Sequence, residues 1–284
     1  MKVFELYREV LKMLEAGGCE SPAFDATCLL EDLGGIGRGN FPVKINDGVS
    51  PETEVLIKGA AQKRANGEPL QYLLGSWDFL NLTLKVGKGV LIPRPETELL
   101  CQVVVEVLQA KKRSAPAKVW DLCAGSGCVG LGIASLYPYC EVLSLEMSSE
   151  AIHYLEANAN AYPHLRVKLR QANVLKDFTN FSGPVDVIVS NPPYIPTKDL
   201  DGLQREVLHE PTLALDGGGD GYRFYRTIAD RWIDKLASNG LVAVEVGIGQ
   251  AQTVATLFKN AGLTNVQIFK DYSGIDRVVL GYKI

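Results

Sequence analysis

The chain has 284 residues, 46% hydrophobic and 22% charged, with a net charge of −4, enough for one large domain and a smaller one. No apolar run approaches the ~18 residues of a membrane span, and Glu5, Arg8 and Glu9 interrupt the first apolar stretch, so neither a membrane segment nor a leader is expected. The acidic balance argues against nucleic acid as a partner, because phosphate contacts call for clustered Lys and Arg.

Val3, Leu6, Tyr7, Val10, Leu11 and Leu14 follow the i, i+3, i+4, i+7 stripe of an amphipathic helix. Ser21-Pro22 and Ser50-Pro51 place a capping residue before a proline at the first helical position. Gly17-Gly18, Gly34-Gly35 and Gly67 stand where helices should stop. Residues 1–70 therefore read as a small helical bundle. It carries eight Lys/Arg against eleven Asp/Glu, a poor grip for DNA and a suitable module for recognising a protein substrate. Residues 71–92 alternate and contain Gly75, Gly87 and Gly89, which suggests a hairpin linker.

From residue 93 to 284 strands and helices alternate. Strands are expected at 118–122, 141–145, 166–170, 185–190, 241–246, 265–270 and 277–282. Helices are expected at 96–108, 128–136, 150–159, 222–236 and 250–261. Seven strands with intervening helices predict a doubly wound α/β domain with a mostly parallel sheet. The last two strands have no helix between them, so one of them should run antiparallel. Cys19, Cys28, Cys101, Cys123, Cys128 and Cys140 include no Cys-x-x-Cys pair and only three histidines accompany them. This spacing points to reduced thiols, a cytoplasmic location and no metal site.

Val119-Trp120-Asp121-Leu122 runs into Cys123-Ala124-Gly125-Ser126-Gly127, and the helix expected next contains Gly130. A strand, a glycine turn and a helix start bring backbone N–H groups to a ligand at the carboxyl edge of a sheet. The glycine pattern alone fits a dinucleotide as well as S-adenosylmethionine. Asp121, expected to face the site, favours the latter, since a sulfonium and an ammonium attract a carboxylate that a pyrophosphate repels. Glu146 ends the second strand, where it can accept from both ribose hydroxyls.

The 185–190 strand delivers Asn191-Pro192-Pro193-Tyr194 to the same edge. The carboxamide oxygen of Asn191 and the carbonyl of Pro192 are two acceptors for the two N–H bonds of a substrate NH₂ group. The prolines stiffen the backbone, and Tyr194 offers a flat face for a planar amide or a base. An amide lone pair is delocalised into its carbonyl, so drawing both hydrogens to acceptors aims the nitrogen at an electrophilic methyl group. Asn191, Pro192 and Tyr194 are the expected catalytic residues. An aminomethyltransferase acting on adenine N6 or guanine N2 of nucleic acid uses the same NH₂ geometry. A non-catalytic module that keeps only the cofactor fold has no need of this tetrapeptide, and nothing in the chain suggests hydride transfer.

In combination these elements resemble the release-factor glutamine methyltransferases, the HemK/PrmC family. The resemblance covers nearly the whole chain. It includes the helical N-terminal part, Ile92-Pro93-Arg94-Pro95-Glu96-Thr97-Glu98, the 121–127 loop and Asn191-Pro192-Pro193-Tyr194-Ile195. It continues through Glu210-Pro211, Gly218, Asp220-Gly221 and Asp276-Arg277-Val278-Val279. It implies a Rossmann-like class I methyltransferase domain that uses S-adenosylmethionine to methylate the glutamine N5 of the Gly-Gly-Gln motif in peptide chain release factors. A ribosomal-protein glutamine is a close variant of that substrate. Cofactor contacts would fall on Cys123, Ala124, Gly125, Ser126, Gly127, Glu146, Val174 and Asn191, with Asn173 near the adenine. Substrate contacts would fall on Asn191, Pro192, Pro193 and Tyr194. The loop carrying Arg94, Glu96, Thr97 and Glu98 would lie close by. Three positions depart from the family pattern. Cys123 stands where Gly is common, which is tolerable if its dihedrals are ordinary, Asn173 replaces Asp, and Val174 replaces an aromatic residue.

Overall fold

The computed structural model describes residues 1–37 and 39–284. In chain order the elements are α1 (Val3–Ala16), α2 (Pro22–Cys28), α3 (Phe41–Lys44), α4 (Pro51–Ala65), α5 (Leu70–Leu74), β1 (Ser76–Phe79), β2 (Leu82–Lys85), α6 (Pro95–Ala110), β3 (Ala117–Leu122), α7 (Cys128–Leu136), β4 (Cys140–Glu146), α8 (Ser149–Ala161), β5 (Val167–Gln171), β6 (Val185–Ser190), α9 (Thr212–Leu215), α10 (Arg223–Thr227), β7 (Leu236–Glu245), α11 (Ala251–Asn260), β8 (Thr264–Lys270) and β9 (Asp276–Tyr282). They divide into two units, Met1–Ser76 with Leu203–His209, and Trp77–Gly202 with Glu210–Ile284.

In the smaller unit, the apolar stripe of α1 buries Val3, Leu6, Val10 and Leu14. Ser50 caps α4 by accepting from the Thr53 N–H at 3.2 Å, ahead of Pro51. Ser21 also precedes a proline at the first position, but its side chain makes no capping bond. At each glycine pair the second member adopts the left-handed conformation, Gly18 at φ 70° and Gly35 at φ 66°. The Arg64 guanidinium is buried and joins the unit together. Its Nε donates to Asp25 at 2.7 Å, and its Nη1 donates to Glu206 at 2.8 Å.

The hairpin expected within residues 71–92 is present as β1–β2. Leu70–Leu74 is a turn of helix closed by left-handed Gly75, and the β1–β2 hairpin that follows is built into the larger unit. Alternation along β2 turns Leu82 and Leu84 inward, where they join Phe79 in the core. Gly132 of α7 lets the hairpin approach: a Cβ there would meet Leu80 Cδ1 at 2.9 Å and Phe79 Cε1 at 3.0 Å. Glu98 of α6 accepts the Leu80 N–H at 2.8 Å.

The sheet runs in the order β5-β4-β3-β6-β7-β9-β8. Pairs from β5 through β7 are parallel, and β9 is the antiparallel strand. The tight turn between β8 and β9 dictates this, since a short connection cannot carry the chain back for a parallel pair. Its bonds run from Asp271 N–H to Ile275 O at 2.8 Å and from Gly274 N–H to Asp271 O at 2.9 Å. The helix expected at 222–236 is α-helical only over α10. It continues as a π turn (Ile228–Trp232) and a 3₁₀ turn (Ile233–Lys235), and β7 starts earlier than its apolar run suggests.

Apolar clusters cover both faces. One gathers side chains of α6, α7 and the hairpin, and the other centres on Tyr225, Trp232 and Phe258. Trp232 stands edge-on to Trp120 at 6.0 Å and tilted to Phe181 at 5.4 Å, and its indole N–H donates to the Val174 carbonyl at 3.0 Å. The chain winds outward from β3 to β5 and then returns to β6. The β3–β6 gap is therefore the switch point at which a crevice opens beyond the strand ends. Trp232→Ala should cost roughly 3–5 kcal/mol, from lost packing and an unpaired carbonyl; urea unfolding followed by circular dichroism measures it.

Candidate active site

At the end of β3 the chain reverses through Cys123 at φ 62°, Gly125 at φ 56° and Gly127 at φ 85°. Cys123 is thus left-handed, so the condition of ordinary dihedrals is not met, and a side chain there costs roughly 1–2 kcal/mol. The reversal brings the Ala124 N–H to the Leu145 carbonyl of β4 at 3.0 Å and closes the Gly127 N–H on Ala124 O at 2.8 Å. A Cβ on Gly127 would meet Leu155 Cδ1 at 2.4 Å, whereas one on Gly125 would meet no heavy atom within 4 Å. Space is kept open at Gly125 and closed at Gly127.

Asp121 does not face the cavity as expected. Its carboxylate is fully buried beneath the turn, where Oδ2 accepts the Gly130 N–H of α7 at 3.0 Å, and Ser144 lies at 3.4 Å. Oδ1 has no partner. Burial pushes this carboxyl up to about 7, against the hydrogen bonds from Gly130 and Ser144. Asp121 therefore holds the glycine turn onto α7 from behind.

The glycine turn forms one wall of a cavity of about 330 Å³ beyond the strand ends, within the size range of small-molecule sites. Cys123, Ala124, Gly125, Ser126, Glu146, Asn173, Val174, Asn191 and Pro193 line it, together with Arg94 and Thr97. Gly127, Pro192, Tyr194, Glu96 and Glu98 do not. Tyr194 is the largest departure: its ring packs at the margin of the second core and its carbonyl accepts from Gln250 Nε2 at 2.9 Å. Burial raises its hydroxyl well above the ordinary tyrosine value.

Glu146 is heavily engaged. Oε2 accepts the Gly125 N–H at 2.8 Å, and Oε1 accepts those of Met147 and Ser148 at 2.7 and 2.8 Å. A carboxylate offers about four acceptor positions, so room remains for one further hydroxyl rather than the expected two. Asn173 Oδ1 accepts the Leu175 N–H at 2.9 Å, which leaves one lone pair and the NH₂ group available.

Asn191 Nδ2 donates to Thr97 Oγ1 at 3.1 Å. The segment before Thr97 is held by Glu210, which is buried, accepts the Ile92 N–H at 3.0 Å and pairs with Arg94. Glu245 is the last residue of β7. Glu245 is 2% exposed. Burial pushes its carboxyl up to about 7, opposed by the influence of Thr97 and Arg277.

Residues the sequence reading missed include Val90, Ile92, Met147, Leu213, Arg223 and Phe224, all on the cavity wall. Met147 was within reach, since it follows Glu146 at a strand end. Leu213 and Phe224 lie in a segment whose local pattern carries no such sign. The Gly-rich run after Asp216 closes on the Asn191 segment: the Gly217 N–H donates to Ile195 O at 2.8 Å, and a Cβ on Gly217 would meet Tyr194 Cα at 2.7 Å.

A doubly wound sheet with a glycine turn and an Asn-Pro-Pro-Tyr segment across its switch point defines a methyltransferase. The PrmC N-terminal domain family matches residues 5–75, and the methyltransferase small domain family matches residues 96–222. The release factor glutamine methyltransferase of Caulobacter vibrioides is 39% identical over 95% of this chain and 92% of its own. That of Geobacter sulfurreducens is also 39% identical, over 93% and 90%. A solved T. thermophilus 16S rRNA N2 G1207 methyltransferase, in complex with AdoMet and guanosine, shares the fold. It superposes with a TM-score of 0.51 at 19% identity, covering 74% of this chain and 50% of that one. The chain belongs to the release factor glutamine methyltransferase family.

Because its pKa is raised on folding, Asp121 binds its proton more tightly in the folded chain than in the unfolded one. The resulting penalty is absent below about pH 4, grows as pH rises toward about 7 and is constant above. Asp121→Asn should therefore stabilise the protein more at pH 8 than at pH 5, by about 2 kcal/mol. Denaturant unfolding at the two pH values checks this.

Proposed function

We propose that this chain transfers the methyl group of S-adenosylmethionine to the side-chain amide nitrogen of a release-factor glutamine, the one in the Gly-Gly-Gln motif. The observation that carries this reading is the Asn191 carboxamide. Its nitrogen is engaged by Thr97, so its oxygen is left for the cavity.

The residues present suit the cofactor. The wall combines apolar groups (Val90, Ile92, Val174) with Glu146 and Asn173, and the space at Gly125 admits a ligand against bare backbone. Cys123, Ala124, Gly125, Ser126, Glu146, Asn173 and Val174 would hold it. When bound, it supplies a methyl group already activated by positive sulfur, so no metal is required.

Asn191 Oδ1 and the Pro192 carbonyl accept the two N–H bonds of the glutamine amide. Among the described residues no backbone N–H occupies the Pro192 carbonyl. The two oxygens turn the nitrogen lone pair toward the methyl group, and positioning of this kind can lower a barrier by roughly 7–11 kcal/mol. Pro193 closes the wall beside them. Tyr194 is removed from direct stacking by its place at the core margin and supports the segment through its backbone instead.

The helical unit, with its excess of acidic residues, serves as the recognition module for the release factor. No described helix is long and apolar enough to cross a membrane, and we place the enzyme with its substrate in the cytoplasm. Neither nucleic acid nor membrane belongs to this reading.

The test is methyl transfer from labelled S-adenosylmethionine to release factor, to its Gly-Gly-Ala variant and to DNA. Label in intact release factor alone is expected; label in DNA instead, or equally in the Ala variant, overturns the assignment. Asn191→Ala should lower turnover at least 100-fold with cofactor affinity within about tenfold. Removing residues 1–76 should raise KM for intact release factor far more than it lowers kcat, as steady-state kinetics on both forms will read.

A further inference from the structure

Among the described residues the cavity wall carries two cationic side chains, Arg94 and Arg223. Arg94 is paired with Glu210. Arg223 is exposed and makes no ion pair with a described carboxylate. Arg226, one turn further along α10, is by contrast held by both oxygens of Asp220 at 2.7 and 2.9 Å. The carboxylates on the same wall are engaged elsewhere. Glu146 accepts the N–H groups of Gly125, Met147 and Ser148, and Asp216 Oδ1 accepts the Thr197 hydroxyl at 2.7 Å and the Gly218 N–H at 2.9 Å. The chain neutralises the arginine outside the cavity and leaves unpaired the one on its wall.

Arg223 belongs to the side of the cavity formed by the Asn-Pro-Pro-Tyr segment. Its backbone N–H donates to Gly217 O at 3.2 Å, and the Gly217 N–H donates to Ile195 O at 2.8 Å, next to Tyr194. Its side chain lies against Gly218, where a Cβ would meet Arg223 Cβ at 3.2 Å and Cδ at 3.3 Å. Gly218 O in turn accepts the Thr197 N–H at 3.0 Å. Both glycines are thus fastened to the chain leaving Asn191-Pro192-Pro193-Tyr194, and the bare backbone at Gly218 makes a bed for the arginine stem. The guanidinium carbon stands 5.8 Å from the Phe224 ring centroid, within cation–π range. Stem and head are both supported, and neither has a countercharge.

A guanidinium has five N–H donors in a rigid fork and no acceptor. In the proposed reaction Asn191 Oδ1 and the Pro192 carbonyl take the N–H bonds of the target amide, so the segment carrying that amide still has to be held. The two glycines before the glutamine have no side chains, and their polar groups are peptide N–H and carbonyl groups. A donor fork beside the acceptor site matches the carbonyls. We propose that Arg223 donates hydrogen bonds to the main-chain carbonyl oxygens of the substrate segment preceding the target glutamine, and is a substrate-binding residue that positions it. The proposal rests on the release-factor reading. With its main chain held, the glutamine brings its amide to the methyl group in one orientation. A donor on the glutamine's own side-chain carbonyl would instead draw the nitrogen lone pair into the amide and weaken the nucleophile.

Calorimetric binding of release factor to the enzyme saturated with S-adenosylhomocysteine tests this contact. Arg223→Met keeps the apolar stem and removes the fork, and Kd for release factor should rise roughly 10- to 100-fold, the range for losing hydrogen bonds from a charged donor. Arg223→Lys keeps the charge without the fork and should fall between the two. The same rise should appear with the Gly-Gly-Ala release factor, because the contact is to the main chain. It should persist at about 0.5 M salt, because a carbonyl carries no net charge to be screened. In turnover, R223M should raise KM for release factor with kcat within about threefold, and its Kd for S-adenosylmethionine should stay within about twofold of wild type. An unchanged Kd for release factor in folded R223M, an effect confined to the glutamine form, one abolished by salt, or an equal loss of cofactor affinity overturns the proposal. If the wild type binds release factor without methylating it, the functional reading fails by itself, and the binding comparison still decides the contact. A wild type that does not bind release factor ends both.

Discussion

The hydrogen bond from Asn191 to Thr97 ties together segments 94 residues apart and makes a sheet edge into a site. Strand β6 can carry Asn191 to the switch point, but a strand end does not determine which way a carboxamide faces. That direction comes from the segment entering α6, which arrives with its own supports. Glu210 takes the Ile92 N–H and pairs with Arg94 ahead of it, and Glu98 anchors the hairpin behind it. Pro93 and Pro95 restrict the backbone between those points. The Pro-Arg-Pro-Glu-Thr-Glu element thus carries a hydroxyl to Asn191 on a segment held at both ends.

Around the same edge the protein accepts several local costs. Cys123 takes a left-handed conformation that disfavours any side chain, and Asp121 and Glu245 bury carboxyls whose ionisation is opposed by their surroundings. Asp121 and Glu245 still pair within β3 and β7 near the carboxyl edge of the sheet, and Cys123 follows directly after β3. The clusters on the two sheet faces, with fully buried Trp232, Tyr225 and Phe258 among them, supply the stability that holds such arrangements. Rigidity below the edge is what permits strain at it.

The two units use charge differently. In the helical unit, buried Arg64 is satisfied by Asp25 and Glu206, so the charge cluster is matched and structural. In the larger unit Glu210 is matched by Ile92 and Arg94, while Asp121 and Glu245 each keep one carboxyl oxygen without a partner. Unmatched buried charge marks the side on which chemistry is done, because only there does the direction of a proton or a hydrogen bond matter to a substrate.

Much of this protein follows from local pattern. The alternation of apolar runs with helical stripes gave the seven strands and the antiparallel exception, and the glycine turn and Asn-Pro-Pro-Tyr were legible because a strand followed by such residues leaves few other uses for them. What local pattern could not decide was orientation. Asp121 alternates on β3 and could face the cavity or α7; the approach of α7 at Gly130 chose the latter. Cys123 is left-handed because Ala124 must reach Leu145 on a neighbouring strand. Glu245 lies inside the expected 241–246 strand, and its burial depends on β9 pairing beside it. Periodicity records which residues are buried, since burial repeats with the geometry of each element. The direction of a polar side chain at a strand end depends on partners far away in sequence, and those meet only when the sheet is assembled.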